Sequence, residues 1–269
     1  MLRALNTAAT GLEAQQRNVD VIANNLANVN TTGFKRSRAE FADLLYVQIR
    51  EPGSPVSRAE GLYAPTGIQI GHGVRNTATT AMWTVGTLQE GTGPLDLAVE
   101  DQGQVRSFLQ VQLPNGIVAY TRDGSLQVDR NGQIVTSSGY RVYPSIDGIP
   151  QDWTSIQIGT DGTVQVYVPG SSTPTELGPI ELASFINPSG LRAYGSNLFL
   201  ETEASGKPQL GNPGTDQFGI IRSGFLEASN VEAVRELVSL ITAQRAYEMN
   251  TRVIQAADEM LQTTATLRR

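Results

Sequence analysis

Apolar residues recur every seven positions near the start of the chain, in two series that are offset by three or four positions. The two series are Leu5, Leu12, Val19 and Leu26, and Met1, Ala8, Gln15, Ile22 and Val29. This spacing places both series on one face of an α-helix, and its repetition over several heptads is typical of a coiled coil. The helix is predicted to end near Gly33, a residue suited to the left-handed conformation of helix ends, with Asn30 as an alternative cap.

A second helix is predicted at the other end of the chain. Its heptad series are Leu240, Tyr247, Ile254 and Leu261, and Ala246, Val253, Met260 and Leu267, with Ala243 and Ala257 on the same side. The preceding segment SNVE, from Ser229 to Glu232, has the pattern of a capping box that opens a helix. A helix of about 30 residues is roughly 45 Å long. Two such helices are predicted to pair with each other, with other chains, or with both.

The centre of the chain has a different pattern, in which short alternating or β-branched runs are separated by turn pairs. These pairs are Asn115-Gly116, Asp123-Gly124, Asn131-Gly132, Ser138-Gly139, Asp147-Gly148 and Asp161-Gly162. Regular turn pairs between short runs are the signature of a β-meander. The centre is therefore predicted to be antiparallel β, in a partly open barrel-like or sandwich form.

These patterns predict an α+β fold in three parts. A helical terminal domain, with its helices packed as in a coiled coil, would comprise residues 1–35 and 228–269, and an inserted all-β domain would comprise residues 76–227. Between them, residues 36–75 are predicted to be an extended arm or linker, because residues 49–74 are rich in Pro, Gly and Ser. The alternatives for this segment are a plain linker and an arm that lies on a neighbouring molecule.

Composition excludes several functional classes. The net charge of -6 is carried by the central part of the chain and argues against nucleic-acid binding, which normally rests on clustered Lys and Arg. No apolar run is long enough to cross a membrane, and the first residues lack the apolar core of a secretory signal. We therefore expect no membrane insertion, and either a cytosolic location or export by another route.

The sequence offers little for catalysis. It has no cysteine and a single histidine, His72, so we expect no metal site, no cofactor and no catalytic triad. Asp96, Glu100 and Asp101 could form a carboxylate pair of the kind used by glycosidases, although acidic residues at strand ends are more often simply solvated. A secreted carbohydrate-active β protein with helical flanks is therefore retained as an alternative, and a non-enzymatic protein is expected.

Both ends of the chain resemble one known family. The segments GLEAQQRNVDVIANNLANVNTTGFKRSRAEFADLLY, from Gly11 to Tyr46, and SNVEAVRELVSLITAQRAYEMNTRVIQAADEMLQ, from Ser229 to Gln262, are similar to the two terminal signatures of the bacterial flagellar rod and hook proteins. YTRDGSLQVDRNGQIVTSSGYRVYP, from Tyr120 to Pro144, resembles the central β module of that family. One departure is EDQGQVRSFLQV, in which Gln104 to Ser107 look inserted and Asp101 stands where glycine is common.

The resemblance implies a structural subunit, most similar to the distal-rod branch, that polymerises into a hollow helical shaft and transmits torque. Proximal-rod or hook-type members are the alternative. The implied location is the periplasm-spanning rod, reached through the flagellar export apparatus without a cleaved signal. The implied partners are other copies of the chain, neighbouring rod and hook proteins, and surrounding ring proteins. The residues predicted at subunit interfaces are Leu5, Leu12, Val19, Ile22, Asn24, Asn25, Leu26, Val29, Leu240, Tyr247, Val253, Ile254, Met260 and Leu261.

The asparagines of the first helix need a separate explanation, because asparagine competes for backbone hydrogen bonds and weakens helices. In a polymer, Asn24, Asn25, Asn28 and Asn30 are predicted to bond to adjacent helices and to fix their register, as a buried Asn does in a coiled coil. For Asn28 and Asn30 the alternative is a simple helix cap, which we prefer for Asn30.

Overall fold

The structure is a computed structural model that describes residues 2–57, 62–101, 103, 105–170, 173–215 and 217–267. Met1 of the first heptad series, the side chain of Leu267 in the last series, residues 58–61 of the predicted arm, and Gln104 lie outside the described residues.

Two long helices and many short strands form the fold, which confirms the α+β class. Helix α1 spans Leu2–Ala27 and helix α2 spans Ala233–Leu267. The strands are β1 Ser37–Asp43, β2 Tyr46–Arg50, β3 Pro55–Ser57, β4 Leu62–Tyr63, β5 Ile68–Gly71, β6 Val74–Ala81, β7 Leu88–Glu90, β8 Leu97–Glu100, β9 Ser107–Gln112, β10 Val118–Thr121, β11 Leu126–Val128, β12 Ile134–Thr136, β13 Arg141–Val142, β14 Ser155–Ile158, β15 Thr163–Tyr167, β16 Thr175–Pro179, β17 Leu182–Ser184, β18 Arg192–Gly195, β19 Leu198–Leu200, β20 Gln209–Gly211, β21 Ile220–Ser223 and β22 Phe225–Glu227.

The helix boundaries differ from the sequence predictions at both ends. Helix α1 ends at Ala27 rather than near Gly33 or at the alternative cap Asn30, because the chain turns at Asn28, whose carbonyl accepts the Thr31 N–H at 3.2 Å. Helix α2 begins at Ala233, so Ser229 does not cap it. The Ser229 hydroxyl accepts the N–H of Val231 at 3.3 Å instead, in a turn that precedes the helix.

The chain divides into two compact units. Unit 1 comprises Met1–Leu26, Ser37–Thr80 and Ala233–Arg269, and unit 2 comprises Ala27–Arg36 and Ala81–Glu232. Unit 1 thus contains the two helices and, apart from Arg36, the segment predicted to form the arm. The described residues of that segment include strands β1 to β5 and the first two residues of β6. In this unit β1 pairs with β6, β2 with β5, and β3 with β4.

Unit 2 is built around a nine-stranded sheet in which the order β11-β12-β13-β9-β10-β19-β18 is extended by β17 on β9 and β20 on β17. Strands β14, β15 and β16 form a three-stranded sheet, and the pairs β21-β8 and β22-β7 complete the unit. All of these pairings are antiparallel. The predicted antiparallel character of the centre is confirmed.

Four of the six predicted turn pairs join hydrogen-bonded neighbours. They lie between β9 and β10, β11 and β12, β12 and β13, and β14 and β15. Asp123-Gly124 does not, because β10 and β11 are not adjacent in the sheet. Gly124 instead lies so close to another strand that an added Cβ would be 1.7 Å from the Leu97 carbonyl oxygen. Asp147-Gly148 likewise connects β13 to β14, which belong to different sheets.

Large buried apolar side chains are concentrated in unit 2. Its main cluster includes Leu95, Leu97, Leu109, Ile180 and Ile221, all almost fully buried. Burying one such side chain contributes about 1.5–3 kcal/mol. In unit 1, the buried apolar residues within the described part are Ala8, Ala14, Ile22, Ala39, Ala64, Ala243 and Ala257, so that Ile22 is the one large member. Unit 1 buries far less apolar side chain than unit 2.

Tyr120 lies in an aromatic cluster of unit 2, where its ring meets that of Phe185 edge-on, with the centroids 4.8 Å apart. Burial, and to a smaller extent the charge of Glu201, raises the pKa of Tyr120 from 10.0 to about 12. The unfolded chain therefore loses this proton at a lower pH than the folded chain. We expect the free energy of unfolding to fall as the pH rises from 10.0 to about 12. Urea titrations across this range would measure the slope, and Tyr120→Phe should lack this contribution to it.

Gly33 occupies a position that no other residue tolerates well. Its φ is +69°, its N–H donates to the Glu227 carbonyl at 2.8 Å, and an added Cβ would lie 2.7 Å from the Arg122 carbonyl carbon. We expect Gly33→Ala to lower the free energy of unfolding by about 2–3 kcal/mol, because backbone strain and a backbone clash add. Gly116→Ala is the matched control, since its φ is +81° with nothing within 4 Å. A loss no larger than that of the control in urea titrations would contradict the close approach.

Candidate functional site

The candidate catalytic carboxylates each have a structural partner. Asp96 accepts the N–H of Gly93 at 2.7 Å, and Glu100 forms an exposed ion pair with Arg222. Asp101 is buried, pairs with Arg122, and accepts the Ser107 N–H at 3.0 Å. These contacts explain the three carboxylates without a substrate. Asp101 stands where the resemblance leads one to expect glycine. In the structure it forms an ion pair with Arg122 in the interior of unit 2.

Other sequence features give no further support for catalysis. His72 is exposed in the turn between β5 and β6. Within the described residues, no group of three or more His, Cys, Asp or Glu side chains is arranged to hold a metal ion. A cavity of about 740 Å³ in unit 2 is lined by Val128, Asp129, Arg130, Trp153 and Leu226, among others.

Among the described residues, neither helix combines the length and the apolar character that crossing a membrane requires.

The two helices of unit 1 contact each other through polar and small residues. The Asn25 amide donates to the Glu236 carboxylate at 3.2 Å, and Gly11 lies against Asn250, whose Nδ2 would be 3.0 Å from an added Cβ. Gly11 and Asn25 are two heptads apart in α1, and their partners Asn250 and Glu236 are two heptads apart in α2 in the opposite order. The helices therefore run antiparallel and keep one register between these two contacts. We call these two contacts the helix seam. They explain one of the asparagines of α1, because Asn25 has a partner on the other helix of its own chain.

Asn25 also holds the first strand of unit 1. It is 1% exposed, its amide donates to the Ser37 carbonyl at 2.8 Å, and its oxygen accepts the Ser37 N–H at 2.8 Å. One side chain of α1 thus bonds to both backbone groups of the first residue of β1. Asn28 accepts a hydrogen bond from the Thr31 hydroxyl at 3.2 Å, just beyond the end of α1.

Asn25→Leu is therefore expected to destabilise unit 1 by about 2 kcal/mol, because the part-buried N–H and C=O of Ser37 and the buried Glu236 carboxylate each lose a partner. Thermal unfolding followed by circular dichroism at 222 nm would measure it. The exposed change Gln16→Leu on the same helix is the control. If the unfolding temperature of Asn25→Leu equals or exceeds that of Gln16→Leu, the hydrogen bonds of Asn25 do not stabilise unit 1.

The predicted interface residues fall into two groups. Ile22 and Asn25 are buried within the chain. Leu5, Leu12, Val19, Leu26, Val29, Leu240, Ile254 and Leu261 are half-buried, whereas Asn24, Tyr247, Val253 and Met260 are exposed. Ala243 and Ala257 are buried on the side of α2 that carries Glu236 and Asn250. Their use by other copies stays a prediction.

Sequence analysis missed a second apolar surface on α2. This α2 outer face consists of Val234, Leu237, Val238, Ile241 and Met249, all exposed. The signal was present, because positions 234, 238, 241 and 249 also follow helical spacing. The heptad series of Leu240 and Tyr247 follows a different stripe of α2 and does not include these positions. An apolar surface of this kind on a helix indicates a missing partner.

The arm residues also expose apolar side chains. Leu45, Tyr46, Ile49, Tyr63 and Ile68 are exposed on or beside the ribbon formed by β2 and β5. A two-stranded ribbon is at best marginally stable by itself. The arm therefore has too little burial of its own to be explained as an independent structure.

A buried charge cluster lies in unit 2 and consists of Lys35, Asp101, Arg122 and Glu227. Lys35 Nζ is 2.5 Å from Glu227 Oε1, and Arg122 pairs with Asp101 and lies 3.6 Å from Glu227 Oε2. The four side chains are at most 1% exposed. Two cations and two carboxylates thus neutralise one another out of water, which is the condition for tolerating buried charge.

Burial also affects the protonation of Lys35. Burial lowers its pKa below 10.5, while the Glu227 carboxylate opposes that shift and the Arg122 charge adds to it. Its ammonium also donates to the Thr84 carbonyl at 2.8 Å. The cluster therefore depends on Glu227 to keep Lys35 charged in the interior.

Models of known protein families match both terminal segments and part of the β region. Three family models match the chain, "Flagella basal body rod protein" over residues 5–35, "Flagellar hook protein FlgE/F/G D1 domain" over residues 97–166, and "Flagellar basal body rod FlgEFG protein C-terminal" over residues 222–267. Their order along the chain matches helix α1, the β region and helix α2.

Several relatives are similar over essentially their full length. The flagellar basal-body rod protein FlgG of Caulobacter vibrioides is 50% identical over 99% of this chain and 100% of its own length. FlgG of Borreliella burgdorferi is 49% identical, with 97% of each chain covered. The flagellar hook-basal body complex protein FlhP of Bacillus subtilis is 32% identical, again with 97% of each covered.

Proposed function

Because this chain belongs to the FlgG family of flagellar basal-body rod proteins, it is a structural subunit of the distal rod of the flagellar basal body, and we infer that its copies polymerise through the two terminal helices. The polymer we propose is a hollow helical shaft that transmits torque. The family assembles with other rod and hook proteins and points to a non-enzymatic role.

The observation that carries the polymerisation proposal is the weak core of unit 1. Its described residues bury one large apolar side chain, Ile22, and otherwise alanines. A helix of 35 residues cannot be held firmly by alanine contacts and a few hydrogen bonds, because most helix stability in proteins comes from packing of an apolar face. The α2 outer face supplies such a face to another copy.

The helix pairing we propose is coiled-coil-like. It is supported by the antiparallel contacts of Asn25 with Glu236 and of Gly11 with Asn250, which are spaced by two heptads on each helix. The seam is polar and small, so it fixes register while leaving larger apolar side chains to face outward. Head-to-tail contacts between copies whose rotation does not close then give an open helical filament.

The remaining partners follow from the proposed location. We place the arm, with Leu45 and Tyr46 exposed, against neighbouring subunits of the shaft. The acidic central part of the chain could face surrounding ring proteins. Absence of cysteine suits passage of an unfolded chain through the flagellar export apparatus without a cleaved signal, after which no disulfide has to form.

Electron microscopy of the concentrated full-length protein tests the proposal. We expect tubes of uniform diameter whose amount rises with protein concentration. Sedimentation velocity on the same samples should show monomers giving way to large particles. A chain that remains monomeric at every concentration would contradict the polymerisation proposal, although not the family membership.

A further inference from the structure

The chain crosses between the two units at four places, after residues 26, 36, 80 and 232. On the unit 2 side, three short segments lie at or near the crossings after residues 36, 80 and 232. We call them the N-terminal root (residues 33–36), the return root (residues 82–87) and the C-terminal root (residues 225–230). All three lie within unit 2 and belong to its compact body.

The three roots are hydrogen-bonded to one another. The Gly33 N–H donates to the Glu227 carbonyl at 2.8 Å, and the Met82 N–H donates to the Arg36 carbonyl at 2.8 Å. The Ala228 N–H donates to the Thr87 carbonyl at 2.9 Å. Each root therefore forms a backbone hydrogen bond with each of the other two roots.

Asn230 adds side-chain bonds to the same arrangement. Its oxygen accepts the Arg36 N–H at 2.7 Å, and its amide donates to the carbonyls of Met82 and Thr84 at 2.8 and 3.1 Å. One side chain of the C-terminal root thus bonds to both other roots.

The buried charge cluster joins the same three segments. Lys35 comes from the N-terminal root and bonds to Glu227 of the C-terminal root and to Thr84 of the return root. Glu227 Oε1 also accepts the N–H of Gly86 at 2.9 Å. The two members from the body of unit 2 are Asp101 and Arg122, whose guanidinium lies over the Phe108 ring.

We propose that this arrangement is an interlock, in which the C-terminal root is ordered only while Lys35 of the N-terminal root is inserted beside Glu227. If the N-terminal root leaves, Glu227 keeps the Gly86 N–H and an Arg122 that lies 3.6 Å away and already pairs with Asp101. A buried carboxylate without a close cation is costly, so Glu227 is expected to move into water and to release its root.

The reverse step follows from the same charges. If the C-terminal root leaves, Asp101 is the single carboxylate left for Lys35 and Arg122, and Arg106 also lies 3.6 Å from it. Lys35 then loses its one close carboxylate and is expected to be expelled. The segments that lead to both terminal helices are therefore ordered together or released together. The interlock concerns the folded single chain and does not rest on the proposed polymerisation.

Hydrogen exchange in the full-length protein tests the coupling in one direction. We expect Lys35→Met to accelerate exchange of the Ala228 amide, which does not touch Lys35, by about tenfold or more, with amides of strand β9 changed less than about threefold. Lys207→Met is the matched control, because Lys207 is the other lysine of the sequence and is exposed in the same unit. Unchanged exchange at Ala228 in Lys35→Met, or equal acceleration by the control, would overturn the interlock.

A second test uses the wild-type protein, so that misfolding of a variant cannot affect its result. Pulse labelling with an amine-reactive reagent reports exposure of Lys35, with Lys207 as an internal standard of an exposed amine. At increasing urea below the main transition, labelling of Lys35 and exchange of the Ala228 amide should accelerate with the same slope, before strand β9 does. Different slopes for Lys35 and Ala228 would mean that the roots open separately. If both open only together with β9, no separate interlock exists.

Discussion

Glu227→Gln is expected to lower the free energy of unfolding of unit 2 by about 3–5 kcal/mol, the range for breaking a buried ion pair by removing one partner. The substitution keeps the size of the side chain and an acceptor for the Gly86 N–H, but leaves Lys35 and Arg122 with Asp101 as their one buried carboxylate. Urea unfolding followed by tryptophan fluorescence measures this unit alone, because both tryptophans, Trp83 and Trp153, lie in unit 2.

Two comparisons make this expectation specific. Glu100→Gln removes an exposed carboxylate that pairs with Arg222 and should change the free energy of unfolding by less than about 1 kcal/mol. The double variant Lys35→Met/Glu227→Met leaves the neutral pair of Arg122 and Asp101, and should lose less than the sum of the single losses. Equal losses for Glu227→Gln and Glu100→Gln would show that the buried charge cluster contributes no more than a surface pair.

The pH dependence of the variant has a defined sign. Because burial lowers the folded-state pKa of Lys35 below 10.5, the unfolded chain binds more protons between the two values, and this contribution to stability rises with pH. Glu227 opposes the lowering, so its removal should move the folded-state pKa further down and widen that window. The destabilisation by Glu227→Gln is therefore expected to shrink as the pH approaches 10.5.

Ile241→Glu is expected to abolish tube formation while leaving the monomer folded. Ile241 is 51% exposed at the centre of the α2 outer face, so the change removes little packing from the single chain. In a polymer that covers this face, the same carboxylate would be buried in an apolar contact without a cation, at a cost that one interface cannot offset. Electron microscopy and sedimentation of the concentrated variant measure the effect.

The control for this experiment lies one turn further along α2. Gln244→Glu adds the same charge at an exposed polar position and should leave tube formation intact. Circular dichroism of both variants should show the same helix content as wild type. Tubes formed by Ile241→Glu as readily as by Gln244→Glu would exclude the α2 outer face from the subunit contacts.

For the asparagines of α1, the local sequence pattern indicates that a partner is needed, and tertiary contacts supply that partner. The sequence shows that Asn25 is an amide in an apolar stripe and hence that it needs a partner. The partners themselves, Ser37 twelve residues away and Glu236 on the other helix, follow from the packing of distant segments. The predicted role of Asn24 and Asn28 between copies stays a prediction.

The amino-acid sequence is sufficient to predict the two helices, the antiparallel character of the centre, four hairpin turns and the family. These features depend on short-range periodicity, on turn residues such as Gly116 and Gly132, and on long segments that resemble known ones. Three further features become visible in the folded chain: Asp101 and Glu227 are neutralised in the interior, Gly124 packs on Leu97 rather than in a hairpin, and α2 carries a second apolar face. Burial and ion pairing join residues far apart in the chain, and no local pattern specifies which distant segments will meet.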